Sequence, residues 1–416
     1  MLEVNFQKII NKVFPKKMPE KIAVAVSGGI DSMALIFLLN NLYGKKNKIT
    51  ALIVDHNFRE NSDKEAKLVY QILQNNNINC QILTSYLEKN FKANIEANLR
   101  QVRYDLLNKF CVKNKIKHLF IGHHKQDLAE NFLIRLFRGS GIDGLAATDY
   151  ESKFHDIKII RPLLDFNKED LKNYLEKNNI NWVEDESNKE EKYLRNKIRN
   201  FLESLDNKEV INKRIAKASN SILANKKIVE KYLKEKSGDI LEFNEMGYFL
   251  LNIKNFCELE EEIAKKYLAL SLMEISGNYY KPRLSKLENL YSKILVNKDF
   301  KTTFYGCVIE QYDNSKLIIY REKSAIKTDQ EICQKICQKI WDNRFRINTK
   351  QDFEITTIDA AEFNKLEISY NIKKEIIYTL PVFRKDKRIV AIPHLNYYSG
   401  AINNIDIQFD KKTLII

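Results

Sequence analysis

The sequence predicts an α/β chain: an N-terminal domain on a parallel, Rossmann-like sheet, followed by a helical domain and a small C-terminal α+β, β-rich domain. Three observations lead there. Short apolar runs at 22–26, 49–54, 80–84 and 118–122 recur with helical patterns between them, which is the rhythm of βαβ units. From 216 to 320 long helical patterns take over, interrupted only by a β stretch at 302–309. Beyond Arg344 the runs become short and alternating, with the turn-like Arg384-Lys385-Asp386-Lys387 among them. The domain limits that follow are 1–215, 216–325 and 326–416.

With 416 residues, 44% of them apolar, the chain can bury a large core. Six cysteines, at 80, 111, 257, 307, 333 and 337, form no CxxC pair, so neither a zinc ribbon nor a disulfide framework is indicated. Cys333 and Cys337 stand at helical spacing, which reads as core packing. No stretch approaches the ~18 apolar residues a membrane span requires, and a reducing, cytoplasmic setting is expected. Net charge is +14, which favours a polyanionic partner. The charge is not evenly spread: residues 189–236 carry 14 Lys plus Arg against 7 Asp plus Glu, half of the net charge in 48 residues.

The first strand ends in Ser27-Gly28-Gly29-Ile30-Asp31-Ser32, and the segment after it, apolar all round, reads as a buried helix. Two glycines let backbone N–H groups approach an anion, the helix N-terminus favours negative charge, and the serine hydroxyls add donors. This is a phosphate cradle, though neither GxxxxGK[ST] nor GxGxxG. The plain alternative is an ordinary strand–turn–helix corner.

The second strand ends in Asp55-His56-Asn57, placing polar side chains at the same sheet edge, where open α/β sheets bind ligands. A helix is expected over 63–75, then another whose stripe is Ile95, Leu99, Val102, Leu106 and Phe110, with Arg100 and Arg103 beside it. After the fourth strand come Gly122-His123-His124-Lys125-Gln126-Asp127 and a helix through Arg138. On it Ala129, Phe132, Leu133, Leu136 and Phe137 form a helical core face, and Asp127, Glu130, Asn131 and Arg138 the opposite one. The first turn thus points two carboxylates at the cradle; compensation of the helix dipole is the competing account of them. For a metal, His123 and His124 lack a third nitrogen or sulfur ligand. Another helix spans 167–178. Arg195 and Arg199, four apart, share one helical face, able to meet successive phosphates or a nucleotide. Lys213, Arg214, Lys217, Lys226 and Lys227 continue a basic track.

The hexapeptide 27–32 after the first strand resembles the PP-loop of the ATP pyrophosphatases. His123-His124-Lys125-Gln126-Asp127-Leu128-Ala129-Glu130, Arg135-Leu136-Phe137-Arg138-Gly139-Ser140-Gly141-Ile142-Asp143-Gly144-Leu145, Arg161-Pro162-Leu163-Leu164, the run from Trp182 to Asn188, and Arg195-Asn196-Lys197-Ile198-Arg199 look like the signature of the tRNA(Ile)-lysidine synthetases. Trp341-Asp342-Asn343-Arg344-Phe345 and Leu380-Pro381-Val382-Phe383-Arg384 resemble that family's C-terminal domain. Lys125-Gln126, where the family often has an acidic residue beside Asp127, and Glu186, where proline is usual, depart from the pattern.

The resemblance implies a PP-loop ATP pyrophosphatase domain and a ligase. ATP adenylates C2 of the wobble cytidine in the CAU-anticodon isoleucine tRNA, and the ε-amine of free L-lysine then displaces AMP. ATP contacts would come from Ser27, Gly28, Gly29, Ile30, Asp31, Ser32, Asp55 and His56. The catalytic residues would be Asp31, Asp127 and Glu130, with Mg²⁺ on Asp31 and Asp127, while Asp127 and Glu130 could instead hold the lysine ammonium. tRNA or phosphate would be met by Arg138, Arg195, Arg199, Lys213, Arg214 and Lys217. Two alternatives stand beside this. One is PP-loop tRNA thiolation, which usually needs cysteines near the site, and none lies between Cys111 and Cys257. The other is a tRNA-binding module with an inactive loop.

Overall fold

The computed structural model describes the chain except residues 1, 46–47, 58–61, 86–94, 184–193, 279, 297–299, 327–330, 334–336, 350, 367, 400–404, 414 and 416. It divides into two compact units, Met1–Lys227 and Ile228–Ile416.

In the first unit the elements run α1 (Leu2–Val13), β1 (Lys21–Val26), α2 (Ile30–Tyr43), β2 (Lys48–Asp55), α3 (Ser62–Asn75), β3 (Cys80–Thr84), α4 (Ile95–Lys113), β4 (His118–Phe120), α5 (Lys125–Phe137), α6 (Ile142–Leu145), β5 (Glu151–Phe154), β6 (Ile157–Ile160), α7 (Lys168–Lys177), α8 (Leu194–Glu203) and α9 (Lys208–Ile240), within which the unit boundary falls. The sheet order is β3-β2-β1-β4-β6-β5. All its pairings are parallel except β5 on β6. Because side chains alternate across a strand, Ile22, Val24 and Val26 of β1 enter one core with α1, α2, α3 and α7, while Ala23 enters the other with Leu107 and Cys111 of α4. Helices therefore cover both faces, as the βαβ rhythm predicts.

In two helices the buried face differs from the expected one. Among the described side chains of α4 the fully buried ones are Leu107 and Cys111, one step round from the expected Leu106 and Phe110, and Ile95 of the expected stripe lies outside that description. On α5 the buried run is Asp127 to Glu130, whereas Leu136 and Phe137 are exposed. Only the first half of α5 is enclosed: Leu128 packs with Leu164 and Ala216 on one flank, Ala129 with Ile198 and Leu202 of α8 on the other. In the last turn Ile134 still packs against the α8 flank, while Leu136 and Phe137 lie beyond these neighbours and are exposed.

The second unit contains β7 (Leu241–Asn244), β8 (Tyr248–Asn252), α10 (Ile253–Cys257), α11 (Glu261–Ser276), α12 (Leu284–Val296), β9 (Lys301–Phe304), β10 (Cys307–Gln311), β11 (Lys316–Arg321), β12 (Glu331–Cys333), β13 (Cys337–Trp341), β14 (Phe345–Thr349), β15 (Phe353–Thr356), α13 (Ala360–Asn364), α14 (Lys374–Ile377), β16 (Val382–Lys385), β17 (Arg388–Ile392), β18 (Tyr397–Tyr398) and β19 (Ile405–Phe409). The β stretch expected at 302–309 is a hairpin, β9–β10, turned at Tyr305-Gly306, both with positive φ. Cys333 ends β12 and Cys337 begins β13, so their four-residue spacing is not helical; it belongs to two strands in different sheets. The Arg384–Lys387 turn is a two-residue hairpin with positive φ at Asp386 and Lys387. One core cluster runs from Leu233 to Ile415, across the limit expected near 325. On α11 the buried Glu274 accepts the Lys412 and Thr413 N–H groups at 2.8 and 2.6 Å, fixing the segment after β19.

Candidate active site

In the first unit β1 lies between β2 and β4, so the chain winds away in opposite senses on either side of it. A crevice opens at such a switch point, beyond the carboxyl ends of the strands. The loop Ser27–Gly29, the turn Asp55–Asn57 and the turn Gly122–His124 all leave the sheet at that edge.

Gly28 has φ +89°, and a Cβ there would stand 2.5 Å from Val69 Cγ2, so only glycine fits. Its carbonyl accepts the Val183 N–H at 2.9 Å. Ser32 Oγ donates to the Gly29 carbonyl at 3.0 Å and accepts the Ser27 N–H at 3.1 Å, closing the loop on the first turn of α2. Gly29 caps α2 with extended backbone and no side-chain acceptor, which leaves the helix's first N–H groups facing the crevice.

Gly122 brings the two halves together. A Cβ on it would meet the Asp31 carbonyl and the Ser32 nitrogen at 3.0 Å. The following turn can therefore set His124 Nε2 3.6 Å from Asp31 Oδ2 and 3.7 Å from Asp127 Oδ2. His124 also caps α5: its Nδ1 faces the Gln126 N–H at 3.2 Å, while its own N–H donates to Asp127 Oδ2 at 2.9 Å. The capping account of Asp127 is thus half of the truth, since its other oxygen faces the site.

That oxygen, Oδ1, accepts from Arg195 Nη2 at 2.5 Å. Arg195 Nε donates to Glu130 Oε2 at 2.7 Å and Arg199 Nε to Glu130 Oε1 at 2.7 Å. Arg195 and Arg199, expected to meet successive phosphates or a nucleotide, are paired with two buried carboxylates of α5 and stay 27% and 30% exposed. Burial pushes the Asp127 carboxyl up, yet the histidines, Arg195 and the His124 amide outweigh it and hold it well below the usual carboxylate range. Burial also drives His123 down to about 3, so it is neutral at physiological pH. Asp31 goes the other way: burial raises it, opposed by His124.

Asp55 is buried and accepts the Asn57 N–H at 2.9 Å, and His56 stands 3.4 Å from Arg103 Nε of α4. The structure thus gathers Ser27 to Ser32, Asp55, His56, Asp127, Glu130, Arg195 and Arg199 along one sheet edge. Arg138 is exposed at the far cap of α5, and Lys213, Arg214 and Lys217 are exposed on α9, outside the carboxylate cluster. Of the rest of the track, Lys227 is held by Asp149 at 2.5 Å. Glu184 to Asn188 lie outside the described residues. The bridging position of His124 was not foreseen; the signal was a polar residue at an N-cap directly after a strand and a glycine. Among the described residues no group of three or more His, Cys, Asp or Glu side chains is arranged to hold a metal.

A family model described as a PP-loop domain matches residues 2–205. A tRNA(Ile)-lysidine synthase of Wolbachia pipientis wMel is 36% identical over 98% of this chain and 96% of its own length. The chain belongs to the tRNA(Ile)-lysidine synthase family. Other members are similar at full length: that of Rickettsia bellii (strain OSU 85-389) is 34% identical over 98% of this chain and 97% of its own, and that of Orientia tsutsugamushi (strain Boryong) 32% over 98% and 96%. A solved U34-tRNA thiolase, NcsA from Methanococcus maripaludis, aligns with a TM-score of 0.47 and 19% identity, over 54% of this chain and 80% of that one, too distant to bear on the reaction.

Proposed function

We propose that the chain joins free L-lysine to C2 of the wobble cytidine of a CAU-anticodon isoleucine tRNA, consuming ATP and releasing AMP and pyrophosphate. The observation that carries this reading is that His124, at the head of α5, stands between Asp31, in the first turn of α2, and Asp127, with its Nε2 3.6 Å from the one carboxylate and 3.7 Å from the other. The cytosine C2 carbonyl is urea-like and its oxygen a poor leaving group, so it must first take the adenylyl group of ATP. The lysine amine then attacks C2, and the oxygen departs within AMP.

Each half of that sequence has its residues. The loop Ser27–Ser32 and the α2 N-terminus bind the departing pyrophosphate, and Asp55 and His56 lie further along the edge for the nucleoside. Asp31 Oδ1 is buried without a hydrogen-bond partner among the described residues, which suits a cation there. Mg²⁺ commonly takes one or two carboxylates and completes its shell with phosphate oxygens and water, so Asp31, with Asp127 beside it, would hold it. The ion would supply charge neutralisation at the pyrophosphate. Asp127 and Glu130 are the acceptors for a lysine ammonium, and Arg195 and Arg199 balance their charge until it arrives. Arg138, Lys213, Arg214 and Lys217 meet tRNA phosphates. No described helix is long and apolar enough to cross a membrane, and we place the enzyme in the cytoplasm with its substrate.

The domain proposal keeps a catalytic segment to about 215, a helical substrate-binding segment to 325 and a tRNA-recognition segment beyond it. The deciding experiment is mass analysis of isoleucine tRNA after incubation with the protein, ATP, Mg²⁺ and lysine. Cytidine gaining lysine less water supports the reading; sulfur incorporation, or no change with ATP intact, overturns it.

A further inference from the structure

A groove of about 460 Å³ lies in the first unit on the flank of α5 away from the carboxylates. Its floor is apolar, with Leu128 of α5, Leu164 and Ala216 of α9. Three amines border it: Lys125 at the first position of α5, and Lys213 and Lys217 on α9. The lining carboxylate is Asp165, and it already accepts the Tyr150 hydroxyl. Arg214, beside Lys213 in sequence, does not line the groove, so the basic stretch is sorted by helical phase.

We propose that this groove holds the sugar–phosphate backbone of the substrate tRNA next to the nucleotide being modified, an inference that rests on the function proposed above. Charge favours a polyanion, since three ammonium groups and the positive end of α5 face one engaged carboxylate. Shape favours a strand over a single nucleotide. The α9 side, Lys213, Lys217, Asn220, Ser221 and Ala224, recurs every three or four residues and extends about 16 Å at the rise of an α-helix. Riboses lie against the apolar floor, and Asn220 and Ser221 offer partners to 2′-hydroxyls, which distinguish RNA from DNA. Position favours the neighbourhood of the reaction: Leu128 faces the groove while Asp127 and Glu130, one residue before and two after it, face the chemistry. A strand whose base enters the crevice passes around the α5 N-terminus, about one helix diameter away, to reach Lys213.

The test is a salt series of filter-binding titrations with isoleucine tRNA, run on the full chain and on Lys125→Gln/Lys213→Gln/Lys217→Gln. Three lost contacts flatten the slope of log K against log salt by about two to three. Lys109→Gln/Lys113→Gln/Lys117→Gln, the same loss of three charges at exposed positions at and just beyond the end of α4 near the opposite edge of the sheet, leaves the slope as it was. An unchanged slope in a triple variant that melts like the parent overturns the groove. Should the triple variant not fold, a photo-crosslinker on Ser221→Cys in the otherwise native chain replaces it. A crosslink to the anticodon arm supports the proposal, and none, or one abolished by ATP or pyrophosphate alone, overturns it. Lysidine formation by the parent protein, measured alongside, reports on the proposed function itself, so a failed groove and a failed function give different results.

Discussion

Glu130→Gln tests the charge arrangement at the heart of the site. The side chain is 3% exposed, and its two oxygens accept from two different guanidinium groups at 2.7 Å. Glutamine keeps the shape but offers one acceptor oxygen and a repelling amide where a second is needed. Removing one partner from a buried ion pair costs about 3–5 kcal/mol. Here Arg195 and Arg199 are 27% and 30% exposed, so water screens part of that loss and about 2 kcal/mol is expected. For a unit of this size that lowers the melting temperature by about 4–8 °C. The assay is thermal unfolding of the full chain, with hydrogen exchange of α5 and α8 peptides to localise the loss. Arg199→Gln alone and in combination completes a cycle, with a coupling energy of about 1–2 kcal/mol. Additivity within about 0.3–0.5 kcal/mol would refute the reasoning, because it would mean that the two side chains do not sense one another in solution.

Gly28→Ala should abolish the loop geometry, since the new methyl group meets Val69 at 2.5 Å and the residue needs φ +89°, and pyrophosphate release should fall on the order of 10²-fold with tRNA binding retained. Asp31→Asn should raise the Mg²⁺ concentration needed for half-maximal pyrophosphate release; an unchanged Mg²⁺ dependence would remove Asp31 from the metal site. Arg344→Met should destabilise the second unit by about 2–4 kcal/mol in denaturant titration, because the fully buried guanidinium donates to Asp342 at 2.6 Å and to the Thr379 carbonyl at 2.7 Å. Burial pushes His394 down to about 4, so between about 6.5 and 4 the unfolded chain binds the proton and the folded one does not. Stability of the second unit should therefore be fully present above about 6.5 and decline as pH falls toward 4, and His394→Gln should flatten that decline.

The first four strands of the first unit were legible because burial on both faces demands uninterrupted apolar runs, and β1 to β3 fall within a residue of where the runs place them; the short hairpin β5–β6 was not read from the sequence. Helix faces were less so. Periodicity tells which residues share a face, but in α5 the enclosed half is decided by α8 and α9, which arrive about 60 and 80 residues later. The same distance hid the partners of Arg195 and Arg199: spacing put them on one face, and only the fold shows that the face is turned onto Asp127 and Glu130. At Cys333 and Cys337 a four-residue interval imitated a helical turn, because a sequence interval does not reveal a change of sheet.

The clasp between Glu274 and the amides of Lys412 and Thr413 has a consequence for how the protein is made. The hydrophobic clusters of the first unit draw only on residues before 228, so they can close while the rest of the chain is still being synthesised. The second unit has no such freedom: Glu274 waits 138 residues for the first of its donors, and its core waits for Phe409 and Ile415. At about 5–20 residues per second that interval is roughly 7–28 s, during which a carboxylate destined for burial and the apolar face of α11 stay open to solvent and to chaperones. Pulse proteolysis of ribosome-bound chains should find the first unit protected long before the second, and simultaneous protection of the two would contradict that order.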